Sequence, residues 1–130
     1  MTRDYQPQKN NPYLLPQPLY RMTLAFIRDH ERKRSAYEEL ATASPPPPDG
    51  MPRGSATGNP TERSGMRRFE LWLAISAVED ARLTIPEEYR DGVWQNIVYY
   101  KRYPDDASPS TYKRYKQKFI HQVAHNMFWV

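Results

Sequence analysis

Residues 108–127 read SPSTYKRYKQKFIHQVAHNM, and the spacing of their apolar side chains predicts one long amphipathic helix. Ser108 suits the cap position and Pro109 suits the first turn, where a missing N–H group costs nothing. At about 100° per residue, one side collects the apolar residues Tyr112, Tyr115, Phe119, Ile120, Val123 and Met127. Other helices must cover that side, which indicates a helical fold. Lys116 also falls there, and we expect its charged end to reach outward to water.

The opposite side of this helix is polar and basic. It carries Ser110, Lys113, Arg114, Gln117, Lys118, His121 and His125. Residues 107–130 hold four Lys or Arg residues and no Asp or Glu, so the rest of the chain is nearly neutral. Cations near a helix N-terminus oppose the positive end of the macrodipole, so helix stability does not favour this arrangement. A polyanionic partner would favour it.

The same spacing predicts three more helices upstream. The first spans 18–43, the second spans 60–83 after the suitable cap Asn59, and the third begins near Pro86. Along one side of the second helix lie Phe69, Trp72, Leu73, Ser76 and Leu83, with Ile75 and Val78 beside them. We expect the first two helices to form an antiparallel hairpin.

Two stretches without helical spacing set the organisation of the chain. Residues 44–60, SPPPPDGMPRGSATGNP, contain four consecutive prolines and three glycines, which predicts a loop long enough to carry contacts. The polar residues 1–15 predict a flexible N-terminal arm. The remaining 16–130 are expected to form a single all-α domain, in which the hairpin precedes a helix-turn-helix-like pair at 86–128.

Composition argues against several classes of protein. No run approaches the ~20 apolar residues that span a bilayer, the N-terminus lacks a signal-peptide pattern, and cysteine is absent, which indicates a cytoplasmic protein. No Gly-rich phosphate loop and no G-x-S-x-G motif is present, so we expect neither an enzyme nor a bound cofactor. His121 and His125 have the spacing of a zinc pair but lack an obvious third ligand. His30 falls on an apolar stripe and is expected to be packed.

A basic and amide-bearing helix preceded by a turn is typical of a recognition helix, whose N-terminal residues enter the DNA major groove. Lysine and arginine contact phosphates or guanine, glutamine bonds adenine, and hydroxyl groups reach the backbone. The predicted interface with double-stranded DNA comprises Ser110, Thr111, Lys113, Arg114, Gln117, Lys118 and His121. A phosphate at the helix start would also meet free N–H groups there.

The C-terminal residues MFWV, 127–130, leave two interpretations open. Phe128 and Trp129 either close the core or contact a partner or a second copy of the chain. A homodimer would suit two DNA half-sites.

Residues 85–127, IPEEYRDGVWQNIVYYKRYPDDASPSTYKRYKQKFIHQVAHNM, resemble the C-terminal part of the RinA- and ArpU-like late transcription regulators of phages from Gram-positive hosts. The loop SPPPPDGMPRG is similar to theirs, and the resemblance covers about residues 15–128. It implies a DNA-binding part like the last one of a sigma factor. Its recognition helix would open with Ser108, Ser110, Thr111, Tyr112, Lys113, Arg114 and Tyr115.

The resemblance also implies a role: binding a phage promoter and recruiting or modulating host RNA polymerase, in the cytoplasm of a bacterial host. The chain departs from a sigma-like domain at KRYPDDA, residues 101–107, where such a domain has a clear first helix of the pair. We expect a turn there, with Pro104 ending the preceding helix.

Two other functions fit the sequence. One is a small phage protein that binds and inhibits a host protein through the proline-rich loop or the aromatic tail. The other is a DNA-packaging protein of the small-terminase kind, which would form a ring. DNA binding predicts that Lys113, Arg114, Gln117 and Lys118 form an exposed and unpaired face.

Overall fold

The computed structural model describes residues 5–42 and 60–130, and five helices follow one another in chain order. They are α1 (Gln17–Arg28), α2 (His30–Thr42), α3 (Pro60–Arg82), α4 (Glu87–Tyr99) and α5 (Pro109–Asn126). No strand occurs in these two ranges, which confirms the all-α class. The predicted loop at 44–60 lies outside the described residues apart from Pro60, where α3 begins. Among the described helices, none is both long and apolar enough to cross a membrane.

Helix α5 lies at the centre of the bundle, because α1, α3 and α4 all pack against it. Its buried apolar side chains are Tyr112, Phe119, Ile120, Val123 and Ala124. They share one core with Tyr20, Leu24 and Ile27 of α1, Val78 and Ala81 of α3, and Val93 and Ile97 of α4. Burying one large apolar side chain contributes about 1.5–3 kcal/mol, so the segment 108–127 does hold the fold together.

The single helix predicted for 18–43 is wrong, because the structure contains two helices there. α1 ends at Asp29, whose backbone (φ −86°, ψ 3°) departs from the helix, and α2 starts at the next residue. The Asp29 carboxylate accepts hydrogen bonds from Arg32 Nε and Nη2 at 2.7 and 2.6 Å. The guanidinium of Arg32 also lowers the pKa of Asp29. The break lets α1 face the core while α2 packs mainly on α3.

The predicted antiparallel hairpin is formed by α2 and α3. At the start of α2, His30 Nε2 lies 3.0 Å from Glu79 Oε1 near the end of α3. Further along α2, the Tyr37 ring lies under the guanidinium of Arg68 in the first half of α3. The contacts run in opposite order along the two helices, so the helices are antiparallel. His30 is 2% exposed and stacks edge-on against Trp94, which confirms that it is a packed histidine.

The side of α3 that faces the core is lined by small residues. Ala74, Ala77, Val78 and Ala81 are buried there. Small side chains let the α3 backbone approach its neighbours closely. The larger side chains Phe69, Trp72, Leu73 and Leu83 are exposed instead. The apolar side apparent in the sequence is therefore not the packed one.

The prediction of a flexible arm at 1–15 is wrong for the described residues 5–15, which contact the domain. Gln6 is 2% exposed, and its amide holds Leu15 from both directions. Gln6 Nε2 donates to the Leu15 carbonyl at 2.9 Å, and the Leu15 N–H donates to Gln6 Oε1 at 2.8 Å. Gln6 Nε2 also donates to Gln17 Oε1 at 3.3 Å, so the buried amide is hydrogen-bonded at both its nitrogen and its oxygen and holds the segment before α1 against the domain.

Helix α4 ends at Tyr99, directly before the turn predicted at 101–107, and Tyr100 rather than Pro104 closes it. Tyr100 adopts a left-handed conformation (φ 58°, ψ 28°), and the Lys101 N–H donates to the Gln95 carbonyl at 3.2 Å. These features close the helix in the way that glycine usually does. Within α4, a Cβ atom at Gly92 would lie 2.6 Å from Tyr112 Cε1 and 2.8 Å from Pro104 Cδ. Gly92 therefore lets α4, the following connection and α5 meet.

Candidate nucleic-acid interface

The start of α5 is fixed by a local cap. The Ser108 Oγ accepts a hydrogen bond from the Thr111 N–H at 3.4 Å and lies 3.1 Å from Thr111 Oγ1. Pro109 occupies the first turn. The predicted cap is confirmed, and it engages the Thr111 hydroxyl within the protein. Ser110 is exposed beside it.

Lys113 and Arg114 are exposed in the first two turns of α5, and Lys118 is half-buried one turn further on. Among the described residues, no carboxylate forms an ion pair with any of these three cations. Arg114 lies over the ring of Tyr115, with its Cζ atom 5.2 Å from the ring centre. The end of α5 that carries the positive end of the helix dipole therefore also presents side-chain cations to water.

Gln117 does not lie on this exposed surface, and its predicted exposure is wrong. Its side chain is 4% exposed, and Nε2 donates to Tyr20 Oη of α1 at 3.3 Å. Gln117 Oε1 is buried and has no hydrogen-bond partner among residues 5–42 and 60–130. Because α1 packs on α5 at this level, the side chain points into the bundle and cannot reach a base there.

Two further α5 residues differ from expectation in their burial. Lys116 does not reach outward to water: it is 5% exposed, and Nζ donates to Asn96 Oδ1 of α4 at 2.9 Å. His121 is half-buried, with the Tyr13 ring 5.7 Å away. Burial lowers the pKa of His121, and the nearby His125 lowers it further. A neutral His121 is a weak contributor to an anion site.

The connection from α4 to α5 adds two cations that the sequence analysis missed. Lys101 and Arg102 are exposed, and the Lys101 carbonyl accepts a hydrogen bond from Asn96 Nδ2 at 2.8 Å. Arg102 and Pro109 line the same open cavity of about 420 Å³, so Arg102 lies beside the first turn of α5. Asp105 lines this cavity too and offsets part of the charge. In the sequence, the only signal for these cations was the pair KR that opens the predicted turn at 101–107.

The tyrosines under this corner are rigidly held. Tyr112 Oη donates to Asp106 Oδ1 at 2.5 Å, and the Tyr112 ring stacks on Tyr103 at 5.2 Å. Burial, and then the bond to Asp106, raises the pKa of Tyr112 to about 12. Burial likewise raises the pKa of Tyr103 to about 12. The connection that carries Lys101 and Arg102 is thus held in place by the packed rings of Tyr103 and Tyr112.

The two aromatic residues of the tail separate into different roles. Trp129 is half-buried and packs edge-on against Phe26, with ring centres 5.1 Å apart, so it closes the core. Phe128 is 94% exposed and has a left-handed backbone (φ 61°). The Trp129 N–H donates to the Ala124 carbonyl at 2.9 Å and completes the end of α5. Only Phe128 therefore stays available for a partner contact.

Helices α4 and α5 are joined by nine residues, 100–108, whereas a regular helix-turn-helix uses a turn of three or four residues. The described residues contain no group of three or more His, Cys, Asp or Glu side chains that could hold a metal ion.

Searches against protein-family models, curated proteins and solved structures found no match to this chain.

Proposed function

We propose that this protein is a DNA-binding transcriptional regulator of the phage type, which contacts duplex DNA through the first turns of α5 and the connection before it. The observation that carries the proposal is the exposed, unneutralised pair Lys113 and Arg114 at the positive end of a capped helix. Lys101, Arg102 and the half-buried Lys118 extend the positive surface. The resemblance to phage late regulators, described above, gives the class of function.

The chemistry of this corner suits phosphate groups. A phosphate near Ser110 would meet the Ser110 N–H and the positive end of the helix dipole. Pro109 has no N–H group, and the N–H groups of Thr111 and Tyr112 already donate to Ser108. Arg114 can hold a phosphate through two parallel hydrogen bonds, and Lys113 acts as a point charge. These are interactions with the DNA backbone, which position a protein without reading sequence.

Fewer residues can contact DNA bases than the sequence predicted. Gln117 is not among them, because it is buried against Tyr20. The exposed residues nearest the helix start, Ser110, Lys113 and Arg114, are left to contact base edges, and arginine bonded to guanine is the commonest such contact. Recognition helices do read bases with their N-terminal residues.

The test is binding to duplex DNA at two salt concentrations. The double variant Lys113→Ala/Arg114→Ala should bind at least about tenfold more weakly, because two charge-assisted contacts are lost. The slope of log affinity against log salt should fall by about 2, since each phosphate contact contributes about 0.9. The matched control, Lys9→Ala/Arg21→Ala, removes two exposed cations outside α5 and the preceding connection. It should keep most of the affinity.

Equal weakening of both variants would show that net charge alone is responsible and would contradict the assignment to α5. No binding by the parent chain at low salt would reject DNA as the partner. Inhibition of a host protein would then be the better proposal, with Phe128 as the first residue to substitute.

A further inference from the structure

The first half of α3 exposes a continuous apolar surface, which we call the α3 outer face: Met66, Phe69, Trp72 and Leu73. They are 61%, 59%, 48% and 43% exposed, respectively. The Phe69 and Trp72 rings stack on one another with centres 6.1 Å apart. None of the four side chains belongs to the core cluster. Steps of three and four residues place them on one side of the helix, with Leu73 at the edge next to the buried alanines.

A glycine on the same side has no packing role among the described residues. Gly65 lies four residues before Phe69, and a Cβ atom there would meet nothing within 4 Å in the structure. Glycine inside a helix costs about 0.5–1 kcal/mol relative to alanine, and no packing contact in the described residues requires it. Close approach by another chain would require it.

We propose that the α3 outer face is the contact surface between two copies of this chain, with their α3 helices antiparallel and a two-fold axis near Phe69. The face is self-complementary about that residue. Gly65 lies four residues before Phe69 and Leu73 four residues after it, so the Leu73 side chain of one copy enters the space over Gly65 of the other. Met66 and Trp72 lie three residues to either side and meet in the same way.

The chemistry of these pairs suits an interface. Two Phe69 rings meet at the axis, where aromatic pairs contribute about 0.5–1.5 kcal/mol beyond area burial. The Met66 sulfur can contact the Trp72 ring, a favourable pair. Two-fold dimers are the commonest oligomers, and they use one patch twice, as this register does.

The exposed area agrees with a dimer. Taking roughly 200 Å² for each whole side chain, the four residues expose about 400 Å² per chain. A standard interface buries about 800 Å² per partner and is a little over half apolar. The α3 outer face therefore supplies the apolar half, and the neighbouring polar residues of the α2–α3 hairpin supply the rest.

The test is the molar mass of the full chain in solution, measured by sedimentation over a wide concentration range. The parent should approach twice its 15.4 kDa. Gly65→Leu should raise the dimer dissociation constant at least about tenfold, because the added side chain occupies the space that Leu73 needs. Phe69→Glu should have the same effect, because it places two like charges at the axis.

Folding and association are separable in this design. Gly65→Leu should not lower the melting temperature of the monomer, since leucine favours helix over glycine and its Cβ meets no neighbour. Phe128→Glu is the control: it changes the most exposed aromatic residue at a different surface and should leave the dimer intact.

Three results would overturn the proposal: a parent chain that stays monomeric at every concentration, a Gly65→Leu variant that dimerises like the parent, or a dimer abolished by Phe128→Glu. None of these outcomes depends on whether the chain binds DNA.

Discussion

Gly92→Ala should destabilise the protein, although alanine is the better helix former. In α4 the change would gain about 1 kcal/mol of helix propensity. Against that gain, the new methyl group would lie 2.6 Å from Tyr112 Cε1 and 2.8 Å from Pro104 Cδ. Both distances are far shorter than a normal contact between carbon atoms, so something must move.

The nearer neighbour, Tyr112, cannot move freely. Tyr112 is fully buried, and its hydroxyl is bonded to Asp106 at 2.5 Å. Pro104 lies in the connection between α4 and α5, and its ring fixes the local backbone. Adding one methyl group to a packed core costs about 1–3 kcal/mol, and contacts on two sides put this case near the upper end. After the propensity gain is subtracted, we expect a net loss of about 2 kcal/mol in the free energy of unfolding.

The assay is urea unfolding followed by circular dichroism. The matched control is Asp91→Ala, an exposed neighbour in the same helix, which should be neutral or slightly stabilising. A Gly92→Ala variant at least as stable as the parent would refute the close packing of α4, Pro104 and α5.

Three further predictions concern buried polar groups. Gln117→Leu loses the hydrogen bond to Tyr20 but also removes a buried oxygen without a partner, so the free energy of unfolding should change by less than about 1 kcal/mol. In a DNA titration this variant should bind like the parent. Burial lowers the pKa of His30, so the unfolded chain takes up a proton at a higher pH than the folded chain does. Urea titrations should therefore show the free energy of unfolding falling as the pH drops below 6.5. The fall should be smaller in the His30→Gln variant. Burial raises the pKa values of Tyr103 and Tyr112 from 10 to about 12, so the unfolded chain loses these protons first. Thermal melts should show stability falling between pH 10 and 12, and phenolate absorbance of the folded protein should show the two tyrosines titrating late.

Local signals in the sequence predicted much of the fold. Ser108 and Pro109 located the start of α5, and the apolar spacing behind them selected most of the side chains that hold the bundle together. The break at Asp29 could not be predicted in this way, because the apolar spacing continues through it. The contact between Asp29 and Arg32 does not mark the break either, because a pair three residues apart also fits an unbroken helix.

The site was predicted less completely than the fold, for a geometric reason. A helical projection divides a helix into one polar and one apolar side, but α1, α3 and α4 all pack on α5, so part of its polar side is covered. Lys113 and Arg114 therefore stayed exposed, whereas Gln117 became buried. In α3 the projection found an apolar side but could not show that the alanine side packs more closely.

The central position of α5 has a consequence for how the chain folds during its synthesis. α5 is the last of the five helices in chain order, yet α1, α3 and α4 all bury their apolar sides against it. During synthesis these three helices emerge before the element that joins them, so Tyr20 and Val93 stay accessible to water and chaperones. We therefore expect the core to close only once α5 is available. A ribosome halted before residue 109 would display a chain that proteases cut readily, although four of its helices are already encoded.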